Sequence, residues 1–234
     1  MKLGSLQDHF FNLYGRRNRI FLPGLRERID FLGLAVADLQ DVIRKIPETS
    51  KIEIALTRVM ARVFCVGEHF LVLPLIETLI AKYPSSHCSY CGRFPCLCSE
   101  IRQDSQLTIS GAGLQNEWNL RQWQQHFNAL YGVRNKEKGV ENVLNRLFKE
   151  VSELSSLQLK VPYMNCGIGE IEKEFALELS DVFAWTIAMA NVLGIDLQKA
   201  VLDRFGNGCQ QCRQLQCICV HFNVDPVRWS TLTI

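Results

Sequence analysis

Two short acidic motifs carry the chemistry that this sequence could perform, Glu150-Val-Ser-Glu153 and Glu178-Leu-Ser-Asp181. Residues three apart on a helix share nearly one face, so each pair can present two carboxylates together. Stepping about 100° per residue from Leu177 puts Asp181 between Ala188 and Trp185, and Glu178 beside Met189. Both acids therefore fall among apolar positions, and Glu150 lies on the flank of a stripe set by Val143 and Leu154. Packing the two helices together would gather four partly desolvated anions, which repel unless cations neutralise them. A hard divalent ion with oxygen ligands, Mg²⁺, meets that need. A di-iron centre would want E-x-x-H on two helices, and neither second position is histidine.

The second chemical feature is ten cysteines. Cys88, Cys91, Cys96 and Cys98 form C-x2-C-x4-C-x-C, and Cys209, Cys212, Cys217 and Cys219 repeat that spacing 121 residues later. Four thiolates so close can wrap one tetrahedral Zn²⁺. The tight C-x-C half leaves open that His87 or His221 replaces a sulfur, and ligand type alone also admits an iron–sulfur cluster. Disulfides are disfavoured in the reducing compartment expected for a chain with no secretion-like amino terminus. Cys65 and Cys166 stand outside both motifs.

Positioning these groups falls to a scaffold that is written twice. His9-Phe-Phe-Asn-Leu-Tyr-Gly-Arg-Arg-Asn18 returns 117 residues later as His126-Phe-Asn-Ala-Leu-Tyr-Gly-Val-Arg-Asn135. Glu53-Ile-Ala-Leu56 returns as Glu174-Phe-Ala-Leu177, and Leu25 to Leu39 matches Val140 to Leu154. Apolar residues recur at helical spacing throughout, while strand alternation is nearly absent. We expect an all-α protein with a helical bundle in residues 1–100, a linker over 101–115 and a second bundle in 116–234. Gly194 should end the long helix, Asp196 should cap the next, Leu197 to Arg204, and Leu157 to Tyr163 reads as a loop or short extended piece. A net charge of +2 at 47% hydrophobic residues excludes disorder and forces no attraction to nucleic acid or anionic lipid. The longest apolar run, Val182 to Ile195, falls short of the ~20 residues that span a bilayer. A cytoplasmic protein without membrane or specific nucleic-acid partners is the expectation.

With these residues in place, the second half resembles the MazG-like nucleotide pyrophosphohydrolases. The resemblance rests on E-x-x-E followed by E-x-x-D, within Leu-Phe-Lys-Glu-Val-Ser-Glu-Leu and Glu-Leu-Ser-Asp-Val-Phe-Ala-Trp leading into Leu-Gly-Ile-Asp-Leu. It implies cleavage of a nucleoside triphosphate to monophosphate and pyrophosphate. It also implies that Glu150, Glu153, Glu178 and Asp181 hold Mg²⁺, with one glutamate of the first pair orienting or deprotonating water. Under the repeat offsets, the first copy has Ala35, Asp38, Thr57 and Met60 at those places, so one acid of four survives. That copy should be catalytically silent and serve as an intramolecular partner, making the chain a pseudo-dimer of tandem MazG-like bundles whose further pairing stays open.

The repeat also sorts the lesser candidates. Arg134 and Asn135 recur as Arg17 and Asn18, which suggests a structural role. Arg204 and Asn207 become Tyr83 and Ser86 in the first copy and so track with the acids, making them candidate substrate contacts. Trp118, Trp123 and Trp185 could stack a nucleobase, with Trp123 taken as the candidate. The competing function is a non-enzymatic zinc-knuckle module that binds a nucleotide or a partner without turnover. Nucleic-acid binding by the knuckles is disfavoured, because they carry only Arg93 and Arg213.

Overall fold

A computed structural model describes residues 1–45, 48–69, 75–98, 114–163 and 167–219. Its long elements are α1 (Leu3–Phe21), α2 (Leu25–Lys45), α3 (Thr49–Gly67), α4 (Leu75–Lys82), α5 (Leu120–Lys160), α6 (Ile168–Leu193) and α7 (Leu197–Phe205). No strand occurs among the described residues, so the expected all-α class holds. The starts and stops follow local chemistry. Asn119 and Gln122 form a reciprocal capping box at the head of α5, each side chain accepting from the other's backbone N–H at 2.9 Å. The Asp196 side chain accepts from Lys199 N at the head of α7, and Gly194 ends α6 with φ 70°, a left-handed stop.

The order of elements repeats. Pro23 and Gly24 separate α1 from α2, and in the second half Gly139 (φ 77°, ψ 170°) breaks α5 into two arms at the corresponding place. The first half thus runs α1, α2, α3, α4, and the second runs two arms of α5, then α6, then α7. One apolar core threads both halves, with Leu32, Leu56 and Val63 of the first in the same cluster as Leu147, Phe183 and Ile187 of the second. Burying each such side chain contributes roughly 1.5–3 kcal/mol. The largest helix contact is α5 with α6, and across the halves α2 meets α5, α3 meets α6 and α7, and α4 meets α6.

The crossed contacts come in matching pairs. Cys96 N donates to Leu130 O at 2.9 Å, and its repeat partner Cys217 N donates to Leu13 O at 2.7 Å. Each cysteine-rich tail is therefore tied to the first long helix of the other half.

Three expectations change. Leu157 to Tyr163 is no loop: α5 runs to Lys160 and a 3-10 turn covers Val161–Tyr163. Most of the linker, 101–113, lies outside the described residues, but its end is packed, with Gln115 buried and donating to Tyr83 O at 2.8 Å. Helix α6, at 26 residues, is long and apolar enough by length and composition alone to cross a membrane. However, 56% of its most apolar stretch is buried inside this protein, where α3, α4 and α5 pack on it.

Candidate active site

Helices α5 and α6 pack along their lengths, and that contact carries both acidic pairs. One carboxylate oxygen each from Glu150, Glu153 and Glu178 can be chosen so that all lie within 4.8 Å of one another. Six oxygens about 2.1 Å from Mg²⁺ stand about 3.0 Å apart when adjacent and about 4.2 Å when opposed. Small side-chain rotations would close this trio on such an ion, and its donors are all hard oxygens. Glu150 is buried on α5, and burial first, then the hydrogen bond with Glu153 and the charge of Asp181, push its carboxyl up to about 8. Burial and Asp181 also raise Glu178. Glu153 sits nearer solvent and is lowered, chiefly because Lys149 donates to it at 2.6 Å. This is a set of anions under mutual strain that a divalent cation would relieve.

Asp181 takes a different place in the site. The first half reaches it through α4: Lys82 Nζ lies 2.6 Å from one carboxylate oxygen and Tyr83 Oη donates to the other. Lys82 also donates to Leu177 O at 3.0 Å and is only 5% exposed. Lys82 and Tyr83 are the residues that sequence reasoning missed. A signal existed, since the repeat places Asp203 and Arg204 opposite them, a switch of charge and type at a cross-half contact.

A cavity of about 270 Å³ opens beside the acids. Glu150 and Asp181 line it together with Tyr83, Tyr90, Arg134, Asn135, Lys138, Asn142, Arg146 and Trp185. Arg134 is braced over the Tyr131 ring at 5.0 Å, with Nη1 3.6 Å from Cys96 Sγ. Lys138 and Arg146 are exposed. The cavity thus has an acidic floor, cations at its edge and, in Trp185, an indole on its wall. Of Trp118, Trp123 and Trp185, the last has this position; the candidate Trp123 is fully buried between Trp118, His126 and Phe127 and does not line the cavity.

Arg204 and Asn207 also fall elsewhere. Asn207 is exposed and lines neither cavity, while Arg204 lines a second, larger one beside Arg17, Arg58 and Arg62. This second cavity is built from the repeat partners of the first: Tyr14, Arg17 and Asn18 for Tyr131, Arg134 and Asn135, and Ala35 for Glu150. The recurrence of Arg134 and Asn135 therefore marks a cavity present in both halves.

The same comparison corrects the register of the acid-bearing helix. Thr57 and Met60, aligned with Glu178 and Asp181 through the shared Glu-x-Ala-Leu, are 1% and 0% exposed in the core. Burial along α3 and α6 matches at an offset of 120, pairing Val59 with Leu179, Met60 with Ser180 and Val63 with Phe183. In that register Arg58 stands where Glu178 does and Ala61 where Asp181 does, and both line the second cavity.

The cysteine sets are two clusters that could hold a metal such as zinc. In each, four sulfurs lie within 4.8 Å of one another. The pairs Cys88–Cys98, Cys91–Cys96 and Cys209–Cys219 are separated by 3.7, 4.0 and 3.9 Å. Four sulfurs 2.3 Å from a central Zn²⁺ would stand about 3.8 Å apart, whereas a disulfide needs about 2.05 Å. The four sulfurs of each set need no imidazole to complete a tetrahedron; His87 is not in the first cluster, and His221 and Cys166 lie outside the described residues. The loops are alike: Cys88 N donates to Arg93 O and Gly92 N to Cys88 O, as Cys209 N does to Gln214 O and Arg213 N to Cys209 O. Gly92 and Arg213 share left-handed φ values of 64° and 59°, so the geometry survives where the glycine does not.

Compared with known proteins, the chain matches no family model, no curated protein and no solved structure.

Proposed function

We propose that the protein is a Mg²⁺-dependent nucleoside triphosphate pyrophosphohydrolase of the MazG-like type, with its active site in the second half. The observation that carries this reading is the convergence of Glu150, Glu153 and Glu178, with Glu150 and the nearby Asp181 lining a cavity edged by cations. Bound there, Mg²⁺ would neutralise phosphate charge and acidify water. Glu150, Glu178 and Asp181 would be the Mg²⁺ ligands furthest from solvent, and Glu153, kept ionised by Lys149, would orient or deprotonate the attacking water. Arg134, Lys138 and Arg146 draw in and align the phosphates. Trp185 offers its indole to the base. Lys82 and Tyr83 hold the Asp181 carboxylate from across the halves.

On this reading the halves form an internal pseudo-dimer in which the first is silent. Its counterpart positions hold Ala35, Arg58 and Ala61, and only Asp38 remains acidic. Zn²⁺ held by the four cysteines of each knuckle would pin the tail of one half to the first long helix of the other, a structural role consistent with the recurrence of the cysteine set in both halves. Pyrophosphate release from a panel of NTPs and dNTPs tests the assignment. Mg²⁺-dependent release that is lost in Glu178→Gln supports it; binding of nucleotide without release would instead indicate a non-enzymatic module.

A further inference from the structure

The second cavity occupies the acid site's place in the repeat, with Ala35, Arg58 and Ala61 where the second half has Glu150, Glu178 and Asp181. It is about 490 Å³, a volume that suits a small-molecule ligand. Four guanidinium groups line it, from Arg17 on α1, Arg58 and Arg62 on α3, and Arg204 on α7. Against them stand two carboxylates, Asp38 and Glu68. Glu68 is engaged elsewhere, 3.5 Å from the buried Arg28 and accepting from Asn18 at 2.9 Å. Asp38 offsets Arg58.

Such a cluster does not form for stability's sake. Like charges in a half-buried space repel, and taking them out of water adds to the cost. Arg204 and Arg62 are both lowered, first by burial and then, among other groups, by Arg58 and Arg17 respectively. Arg204 Nε is buried with no hydrogen-bond partner among the described residues. Ring stacking accounts for part of the arrangement, with Arg17 5.8 Å from the Tyr14 ring centroid, Arg62 5.0 Å from Phe31 and Arg204 5.6 Å from Phe205. A stacked guanidinium is fixed in plane, and its planar fork of donors matches phosphate oxygens. One stretch of the wall is apolar, formed by Phe31, Leu34 and Ala35. Polyanion and flat apolar group are thus both provided for.

We propose that this first-half cavity is a non-catalytic binding site for a nucleoside phosphate, with the phosphates on Arg58, Arg62, Arg204 and Arg17 and the base against Phe31 and Leu34. Arg58 standing at the place of Glu178 makes the site unsuited to a divalent ion and suited to an anion. The site is independent of turnover at the acid cavity.

Titration calorimetry on the full chain with ATP in Mg²⁺-free buffer without chelator tests it, since omitting Mg²⁺ silences a Mg²⁺-dependent site but leaves the knuckles and a guanidinium site intact. Saturable binding is expected, with at least a tenfold loss of affinity in Arg58→Gln and in Arg204→Gln, both at partly exposed positions and both checked for unchanged helicity. Inorganic pyrophosphate should compete with ATP but more weakly. Absence of ATP binding, or affinity equal to wild type in both variants, overturns the site. Pyrophosphate binding as tightly as ATP overturns the nucleoside assignment. Binding that persists in a protein without Mg²⁺-dependent turnover would separate this site from the proposed activity, and turnover with no ATP binding in Mg²⁺-free buffer would do the reverse.

Discussion

The Lys82–Asp181 contact ties the two halves at the edge of the acid cavity, and its removal makes a quantitative test. The side chains are 6% and 17% exposed, and the ammonium lies 2.6 Å from the carboxylate. Lys82→Met keeps the apolar stem but leaves Asp181 with Tyr83 as its remaining partner; removing one member of a buried pair costs about 3–5 kcal/mol. Asp181→Asn strands the ammonium instead, though Leu177 O still accepts from it at 3.0 Å. In the double variant both charges are gone, so the double-mutant cycle should return a coupling of about 3 kcal/mol in Mg²⁺-free buffer. For a chain of this size that corresponds to about 6–12 °C in the single Lys82→Met melting temperature. Chemical denaturation of the four proteins measures the cycle. Millimolar Mg²⁺ should rescue Lys82→Met in part, because an ion at the acids takes over neutralisation of Asp181, and should not rescue Asp181→Asn equally. A coupling under about 0.5 kcal/mol, the range of an exposed pair, would refute the claim that the first half completes this site.

Other predictions follow from separate parts of the structure. Without Mg²⁺ the folded Glu150 carboxyl sits at about 8 against an ordinary 4.5, so the folded form holds the extra proton between those values. Stability should therefore fall as pH rises from about 5 to about 8, and Glu150→Gln should flatten the slope in a melting-temperature series; a rise with pH would contradict the burial argument. Elemental analysis should find about two zinc per chain. Cys209→Ser should lower that to about one and loosen hydrogen-exchange protection around Leu13, whereas loss of protection confined to the knuckle would deny the cross-half tie. Gly139 holds φ 77° and ψ 170°, a conformation costing other residues about 1–3 kcal/mol, so Gly139→Ala should lower stability by that order in denaturant titration.

Much of this architecture was legible because duplication supplies an internal control. The helical periodicity, the Asp196 cap, the Gly194 stop and the two cysteine quartets are local signals, and local signals survive in a single sequence. What escaped was set by contacts between the halves. Lys82 and Tyr83 lie about 100 residues from Asp181 in the chain, and no periodicity connects them. Trp123 and Arg204 were misassigned to the acid site for the same reason: aromatic type and covariation with the acids do not say which cavity a side chain faces. The register of α3 was hidden by the shared Glu-x-Ala-Leu, which fixes identity at an offset of 121 while burial fixes geometry at 120. Core packing decides the face of a helix, and Arg58, half-exposed on the cavity side, is the residue that the identity match conceals.

The central claim is tested most directly by pyrophosphate release from NTPs and dNTPs by the full chain with Mg²⁺, measured beside Glu150→Gln and Glu178→Gln. The account predicts metal-dependent release by wild type and a loss of at least about a hundredfold in kcat for each variant, about 2.7 kcal/mol of transition-state stabilisation. Equal release by all three proteins, or none by wild type on any nucleotide, would contradict it.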